Sequence, residues 1–280
     1  MPPLLAGSAT GSDRIAHAWL VPLAADAQAL RRMYGLLSPA ERVRAARFAF
    51  DRDRRTFVLS HGVLRRILAA CCGENAGRLR FRQGTRGKPY LVDGPAGLQF
   101  NLSHCEGFCL VGVAHGPAIG VDVERVRAVD DLDQLSRQCF SAAERRELGA
   151  LPTADRSIGF FNGWTRKEAF VKAVGDGLSY PLESFDVSLA PGSPARLLSI
   201  GGSASAAAGW SLAAFDPAPD VRAAVAVAAP GVTVQWHALS DISIRTQTED
   251  VHGSRGTGRH DDVSGSEKPR RAVFDLAGRP

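Results

Sequence analysis

A helix-opening pattern, Ser-x-x-Glu, occurs twice in this chain, and that echo constrains the fold more than any other feature. Ser38-Pro39-Ala40-Glu41 offers a serine cap, a proline tolerated in the first turn, and a glutamate three residues on that can bond back to the cap. Phe140-Ser141-Ala142-Ala143-Glu144 repeats the arrangement later in the chain. After the first box, a basic helix is expected from Glu41 to Phe48. A second helix follows with Phe57, Leu64, Ile67 and Leu68 on one side, and it stops near Gly73. After the second box, a long helix is expected from about Arg156 to Val174, ending at Gly175.

Strand patterns surround both sets of helices. His17 to Leu23 precedes the first set; Leu79 to Phe81, Tyr90 to Val92, Leu98 to Leu102, Phe108 to Ala114 and Ile119 to Glu124 follow it. Phe185 to Leu189, Trp210 to Phe215 and Arg222 to Ala228 follow the second set. The order of strand, helices and strands thus occurs twice, so the halves look loosely similar. The expected organisation is a loose leader at 1–13, a first half at 14–116, a second half at 117–240 and a tail at 241–280. The tail is rich in Ser, Gly, Arg, Asp and Thr with scattered apolar residues, so it is expected to be disordered.

Several function classes are disfavoured by composition. No apolar run approaches the roughly 20 residues of a membrane helix, and no positive charge precedes a greasy stretch in Met1 to Gly11. A cytoplasmic protein without a membrane partner is the expectation. Five cysteines, an odd number with no CxxC pair, indicate neither a disulfide framework nor a zinc site. The formal charge of +5 is unevenly spread. Between Arg31 and Arg86 stand 14 Arg against only Glu41, Asp51, Asp53 and Glu74, so the rest of the chain is acidic. A basic first half suits a polyanionic ligand or an acidic protein partner, and nucleic acid would fit as well.

Four clusters carry chemistry. In Ile119-Gly120-Val121-Asp122-Val123-Glu124, residues two apart share a strand face, so Asp122 and Glu124 point together while Val121 and Val123 point into the core. Paired carboxylates are hard oxygen ligands suited to magnesium, or else a solvated strand face. In Trp164-Thr165-Arg166-Lys167-Glu168-Ala169-Phe170-Val171-Lys172, Glu168 and Lys172 are neighbours on one helix face. Lysine is rare here, occurring only as Lys88, Lys167, Lys172 and Lys268 among 34 basic residues, so two in one helix suggest a need for a compact, tunable cation. Asn101-Leu102-Ser103-His104 puts polar groups at an expected strand end before a turn, and Gly87-Lys88-Pro89 fixes a turn that carries a lysine.

The order GKPYL, FNLSHCEG, IGVDVE, FSAAE and WTRKEAFVKAVGDGL resembles the surfactin-type 4'-phosphopantetheinyl transferases, over roughly Ser38 to Leu189. The form of the long helix is similar to the branch that serves secondary metabolism, including nonribosomal peptide and polyketide synthesis. The resemblance implies an α+β fold, a monomer of two similar, pseudo-twofold-related halves with coenzyme A bound in the cleft between them. It implies transfer of phosphopantetheine to a serine of an acyl or peptidyl carrier protein. By the same resemblance, Asp122, Glu124 and Glu168 hold magnesium (Mg2+), and Glu168 and Lys172 are catalytic. Arg44, Arg55, Lys88, Pro89, Ser103, His104 and Lys172 contact coenzyme A. Glu41 stands where the family can have a basic phosphate contact, which Arg42 would take over; Glu144 is a candidate ligand or supporting acid. A different magnesium phosphoryl or nucleotidyl transfer enzyme explains the acids but not the GKP and SH motifs. A non-catalytic polyanion-binding module leaves the acids without a role.

Overall fold

Each half builds a sheet and lays one long helix against it. In a computed structural model, residues 14 to 238 are described, apart from Arg86 and Asp176. The expected leader and tail lie outside the described residues. The first half runs β1 (Ile15–Pro22), α1 (Ala27–Leu36), α2 (Pro39–Ala46), α3 (Asp51–Cys72), β2 (Phe81–Gln83), β3 (Pro89–Leu91), β4 (Leu98–Cys105) and β5 (Phe108–His115). The second runs β6 (Ile119–Arg125), α4 (Leu132–Cys139), α5 (Ala142–Ala150), α6 (Thr153–Val174), β7 (Phe185–Val187), β8 (Leu197–Ile200), α7 (Ala204–Ala207), β9 (Ser211–Ala218) and β10 (Val221–Val227). A last strand, β11 (Thr233–Ala238), closes the described chain.

Both capping boxes form. Ser38 Oγ accepts from Glu41 N while the Glu41 carboxylate accepts from Ser38 N; Ser141 and Glu144 do the same. The helix after the first box therefore starts at Pro39 and ends at Ala46, two residues short of the expected Phe48. α3 and α6 are each 22 residues long, and each ends at a glycine in the left-handed region, Gly73 (φ 68°) and Gly175 (φ 85°). A side chain other than glycine is strained at such a C-cap.

The strands form two main sheets. One has the order β11-β1-β5-β4, the other β6-β10-β9. β11 pairs in parallel with β1, so the last described strand joins the sheet of the first half. Strand alternation gives each sheet two apolar faces. Trp19, Val21, Phe100, Val111 and Val113 face α1 and α3 through Met33, Phe57, Leu64 and Leu68. Ala16, Ala18, Leu20 and Leu110 of the first sheet meet Ile119, Val121, Val123 and Val225 of the second. Ala224 and Ala226 carry α6 through Ala169, Phe170 and Ala173. The order is therefore helix, sheet, sheet, helix, and β6 lies buried between the first sheet and α6. None of the described helices is long and apolar enough to cross a membrane.

Candidate active site

Gly120 determines how closely helix and strand approach. A Cβ there would stand 2.1 Å from Ala169 O and 2.2 Å from Ala173 N, so only glycine lets α6 lie directly on β6. Alternation sends Val121 and Val123 into the layer between the sheets and turns Asp122 and Glu124 towards α6. On α6, Trp164, Glu168 and Lys172 recur every four residues and form a stripe on one side. Trp164 Nε1 donates to Glu124 Oε1 at 3.4 Å. Lys172 Nζ lies 2.6 Å from Asp122 Oδ1. Glu168 sits between them along the helix, half-buried.

The first half reaches the same carboxylate. Ser103 Oγ donates to Asp122 Oδ1 at 2.8 Å, and Lys172 Nζ donates to Ser103 Oγ at 3.1 Å. Asp122 is fully buried, and its second oxygen, Oδ2, has no hydrogen-bond partner. A buried, half-satisfied carboxylate is expensive unless a cation completes it. The donor set of Asp122 Oδ2 with the neighbouring Glu124 and Glu168 is all oxygen, which fits magnesium. Among the described residues, no three His, Cys, Asp or Glu side chains gather into a group that could hold a metal ion. Magnesium keeps several of its waters and commonly takes one or two carboxylates plus substrate phosphates, so it does not require such a cage.

Comparison with known proteins agrees with this geometry. Residues 118–226 match the model of the 4'-phosphopantetheinyl transferase superfamily. Residues 24–115 match the model described as 4'-phosphopantetheinyl transferase, N-terminal. The 4'-phosphopantetheinyl transferase HetI of Nostoc sp. is 38% identical over 229 residues, covering 81% of this chain and 93% of the relative. The chain belongs to the 4'-phosphopantetheinyl transferases. Its other relatives include 4'-phosphopantetheinyl transferase psf-1 of Bacillus pumilus, 31% identical over 60% of this chain and 70% of the relative. Sfp of Bacillus subtilis is 29% identical over 56% and 69% respectively.

The remaining candidate residues of this phosphopantetheinyl transferase spread outward from Asp122. Lys88 Nζ donates to Ile119 O (2.9 Å) and Ala173 O (3.1 Å), which ties the GKP turn to both β6 and the end of α6. Burial pushes its ammonium down to about 8. Pro89 is exposed at the start of β3. The Asn-Leu-Ser-His run was expected at a strand end, yet β4 continues through it to Cys105, and the hairpin turns at Gly107 (φ 83°). Ser103 therefore faces β6, and alternation puts His104 on the opposite face of β4. Arg44 and Arg55 are exposed on α2 and α3; Arg44 stacks over the Phe57 ring and Arg55 donates to Ala25 O.

Other singled-out residues have structural partners. The Glu41 carboxylate closes the capping box and meets Arg65 at 2.7 Å. Arg42 donates to Gly35 O and lies over Tyr34. Glu144 is 1% exposed, accepts from Val187 N and pairs with Lys167, so it holds α5 to α6 and β7. The rarity of lysine groups Lys167 with Lys172, yet Lys167 is fully buried on Glu144 and the carbonyls of Leu182 and Phe185. Five residues along a helix turn a side chain to a different face. Sequence reasoning gave no role to Gly120 or Asn101. A glycine inside a run of β-branched strand residues was the signal for the first.

Proposed function

We propose that this protein moves the 4'-phosphopantetheine arm of coenzyme A onto a serine of an apo acyl or peptidyl carrier protein, in a magnesium-dependent reaction that releases adenosine 3',5'-bisphosphate. One observation carries the reading: in a chain of this family, the buried Asp122 carboxylate takes Ser103 and Lys172 on one oxygen and leaves the other free. Bound by Asp122, Glu124 and Glu168, magnesium would neutralise the pyrophosphate and polarise its phosphoryl oxygens.

The chain's own residues do the rest. Lys172 balances negative charge that moves onto the leaving bisphosphate as its P–O bond breaks. Glu168 accepts the proton of the carrier serine while the serine oxygen forms the new bond to phosphorus. Ser103 orients the acidic site and contacts the diphosphate. Lys88, Pro89 and His104 line the nucleotide, and the exposed Arg44 and Arg55 take its phosphate charge. A monomer acting in the cytoplasm completes the proposal.

Mass spectrometry tests it. The protein is mixed with coenzyme A, magnesium and an apo carrier domain; the carrier is expected to gain one phosphopantetheine, and chelation of the metal is expected to stop the gain. A carrier of unchanged mass overturns the reading.

A further inference from the structure

Two strands meet at this site without sharing a backbone ladder. β4 ends one sheet and β6 ends the other, so, among the described residues, backbone groups that β6 turns away from β10 have no laddered strand to bond. Side chains of the first half stand in. Lys88 Nζ donates to Ile119 O, Asn101 Oδ1 accepts from Val121 N at 2.9 Å, and Ser103 Oγ donates to Asp122 Oδ1. Of these three, Lys88 and Ser103 are already assigned to coenzyme A. Asn101 is 7% exposed, and its oxygen serves the backbone of a fully buried strand residue.

Spacing makes that bond a register pin. Asn101 and Ser103 are two apart on β4 and share a face, while their partners Val121 and Asp122 are consecutive on β6. With the Asn101 oxygen on Val121 N, the Ser103 hydroxyl falls on Asp122. The β4–β5 ladder fixes which way Ser103 faces, so a shift of β6 along β4 would carry Asp122 away from that hydroxyl.

We infer that Asn101 is a positioning residue for the transfer reaction: its bond to Val121 N fixes β4 against β6 and so keeps Ser103, Asp122 and Lys172 in one cluster. The inference rests on the proposed function for its kinetic consequence, but the register pin itself is independent of it.

Two variants of the full chain separate the possibilities. Asn101→Ala removes the acceptor; Asn101→Asp keeps an acceptor oxygen at the same reach. Steady-state transfer is measured at saturating coenzyme A with magnesium and carrier varied. Amide hydrogen exchange is followed on the free protein. Asn101→Ala is expected to lower kcat by about ten- to a hundredfold, the scale of a small misplacement of reacting groups. The carrier KM should move by less than about twofold, and the magnesium needed for half-activity should rise. Asn101→Asp is expected to recover most of the kcat. In Asn101→Ala, amides of 119–125 should exchange faster while those of α3 stay protected.

An unchanged kcat overturns the inference, as does a loss that Asn101→Asp does not recover. Unchanged exchange at 119–125 overturns it whether or not the wild type is active. A wild type that never modifies the carrier overturns the proposed function instead, and the exchange result then decides the pin alone. Should Asn101→Ala fail to fold, Asn101→Ser against Asn101→Asp makes the same comparison.

Discussion

The first half grips its capping-box glutamate with a buried arginine while the carboxylate still reaches solvent, and the second grips its own with a lysine in a dry interior. Arg65 meets Glu41 at 2.7 Å, and Lys167 meets Glu144 at the same distance. Burial pushes the Glu41 carboxyl up, but hydrogen bonds from His61, Arg65 and Ser38 outweigh it and hold the group down at about 2. Burial likewise pushes the Glu144 carboxyl up, and there it wins; it also pushes the Lys167 ammonium down. Exclusion of water thus works against the charges that the contact favours. One local device, built twice, is a comfortable ion pair in one setting and a costly one in the other. The costly copy is held from a different face of α6 than the stripe that carries Glu168 and Lys172.

The largest effect expected separates the halves by function. Asp122→Ala should lower kcat by about 10²–10³-fold, the scale seen when one preorganised electrostatic group is lost, with the fold retained by circular dichroism. Arg55→Ala in the first half should act mainly on the coenzyme A KM. Near-wild-type kcat in Asp122→Ala would remove the proposed site. A kcat effect of Arg55→Ala equal to that of Asp122→Ala would erase the division of labour.

Next comes the stability of the two pairs. Lys167→Met leaves a buried carboxylate unpaired and should cost about 3–5 kcal/mol in urea unfolding. Adding Glu144→Gln to Lys167→Met should recover much of that loss. Arg65→Met strands a glutamate whose side chain is still 15% exposed, so water and His61 can replace part of the contact. About 2 kcal/mol is expected, within the range for hydrogen bonds to charged groups. Equal costs for the two single variants would show that the environments differ less than their burial implies.

Acid titration sharpens the comparison. Glu41 has a folded pKa of about 2 against an ordinary 4.5. Its stabilisation is therefore complete above pH 4.5 and is lost as pH falls from there through about 2. The amount is on the order of 3 kcal/mol at 1.36 kcal/mol per unit. Glu41→Gln should flatten the acid limb of the stability curve between these values. Glu144 is shifted the other way, so protonation favours its folded state, and Glu144→Gln should leave that limb in place. The check is urea unfolding at half-unit pH steps.

Local signals made much of this legible. The capping boxes, the glycine stops and the period-two runs gave both long helices and the site strand, because cap chemistry and apolar periodicity act within a few residues. What stayed hidden depends on partners far away in sequence. α1 has Leu30, Met33 and Leu37 at helical spacing, but at ten residues it is too short to hold by itself, and packing against the α3 core stabilises it. β11 exists because β1 offers it an edge. Asp122, Glu124, Glu168 and Lys172 could be named from motif spacing, and the Ser103 and Lys172 contacts on Asp122 join two of those residues directly. The split between Lys167 and Lys172 could not be read, since only the surrounding fold decides which helical face is dry.

The smallest effect concerns the caps themselves. Replacing a serine N-cap with alanine typically costs about 1 kcal/mol, and by that rule Ser38→Ala and Ser141→Ala should be equal. Their surroundings differ. Ser38 Oγ spends its proton on Glu41 Oε2, inside its own box. Ser141 Oγ gives its proton to Asp186 Oδ1 at 2.5 Å, and Ser199 Oγ gives its own to Asp186 Oδ2. Ser141 thus caps α5 and also satisfies half of a carboxylate on β7. Losing Ser38 leaves Glu41 with Arg65, His61 and the Ser38 backbone N–H still in place. Losing Ser141 leaves Asp186 Oδ1 without that donor in a partly buried site, an added loss of roughly 1.5–3 kcal/mol for a hydrogen bond to a charged group. Ser141→Ala should therefore unfold at lower urea than Ser38→Ala, and Ser141→Ala with Asp186→Asn should close most of the gap. If the two serine variants unfold together, Asp186 finds its partner in water, and the second cap is as local as the first.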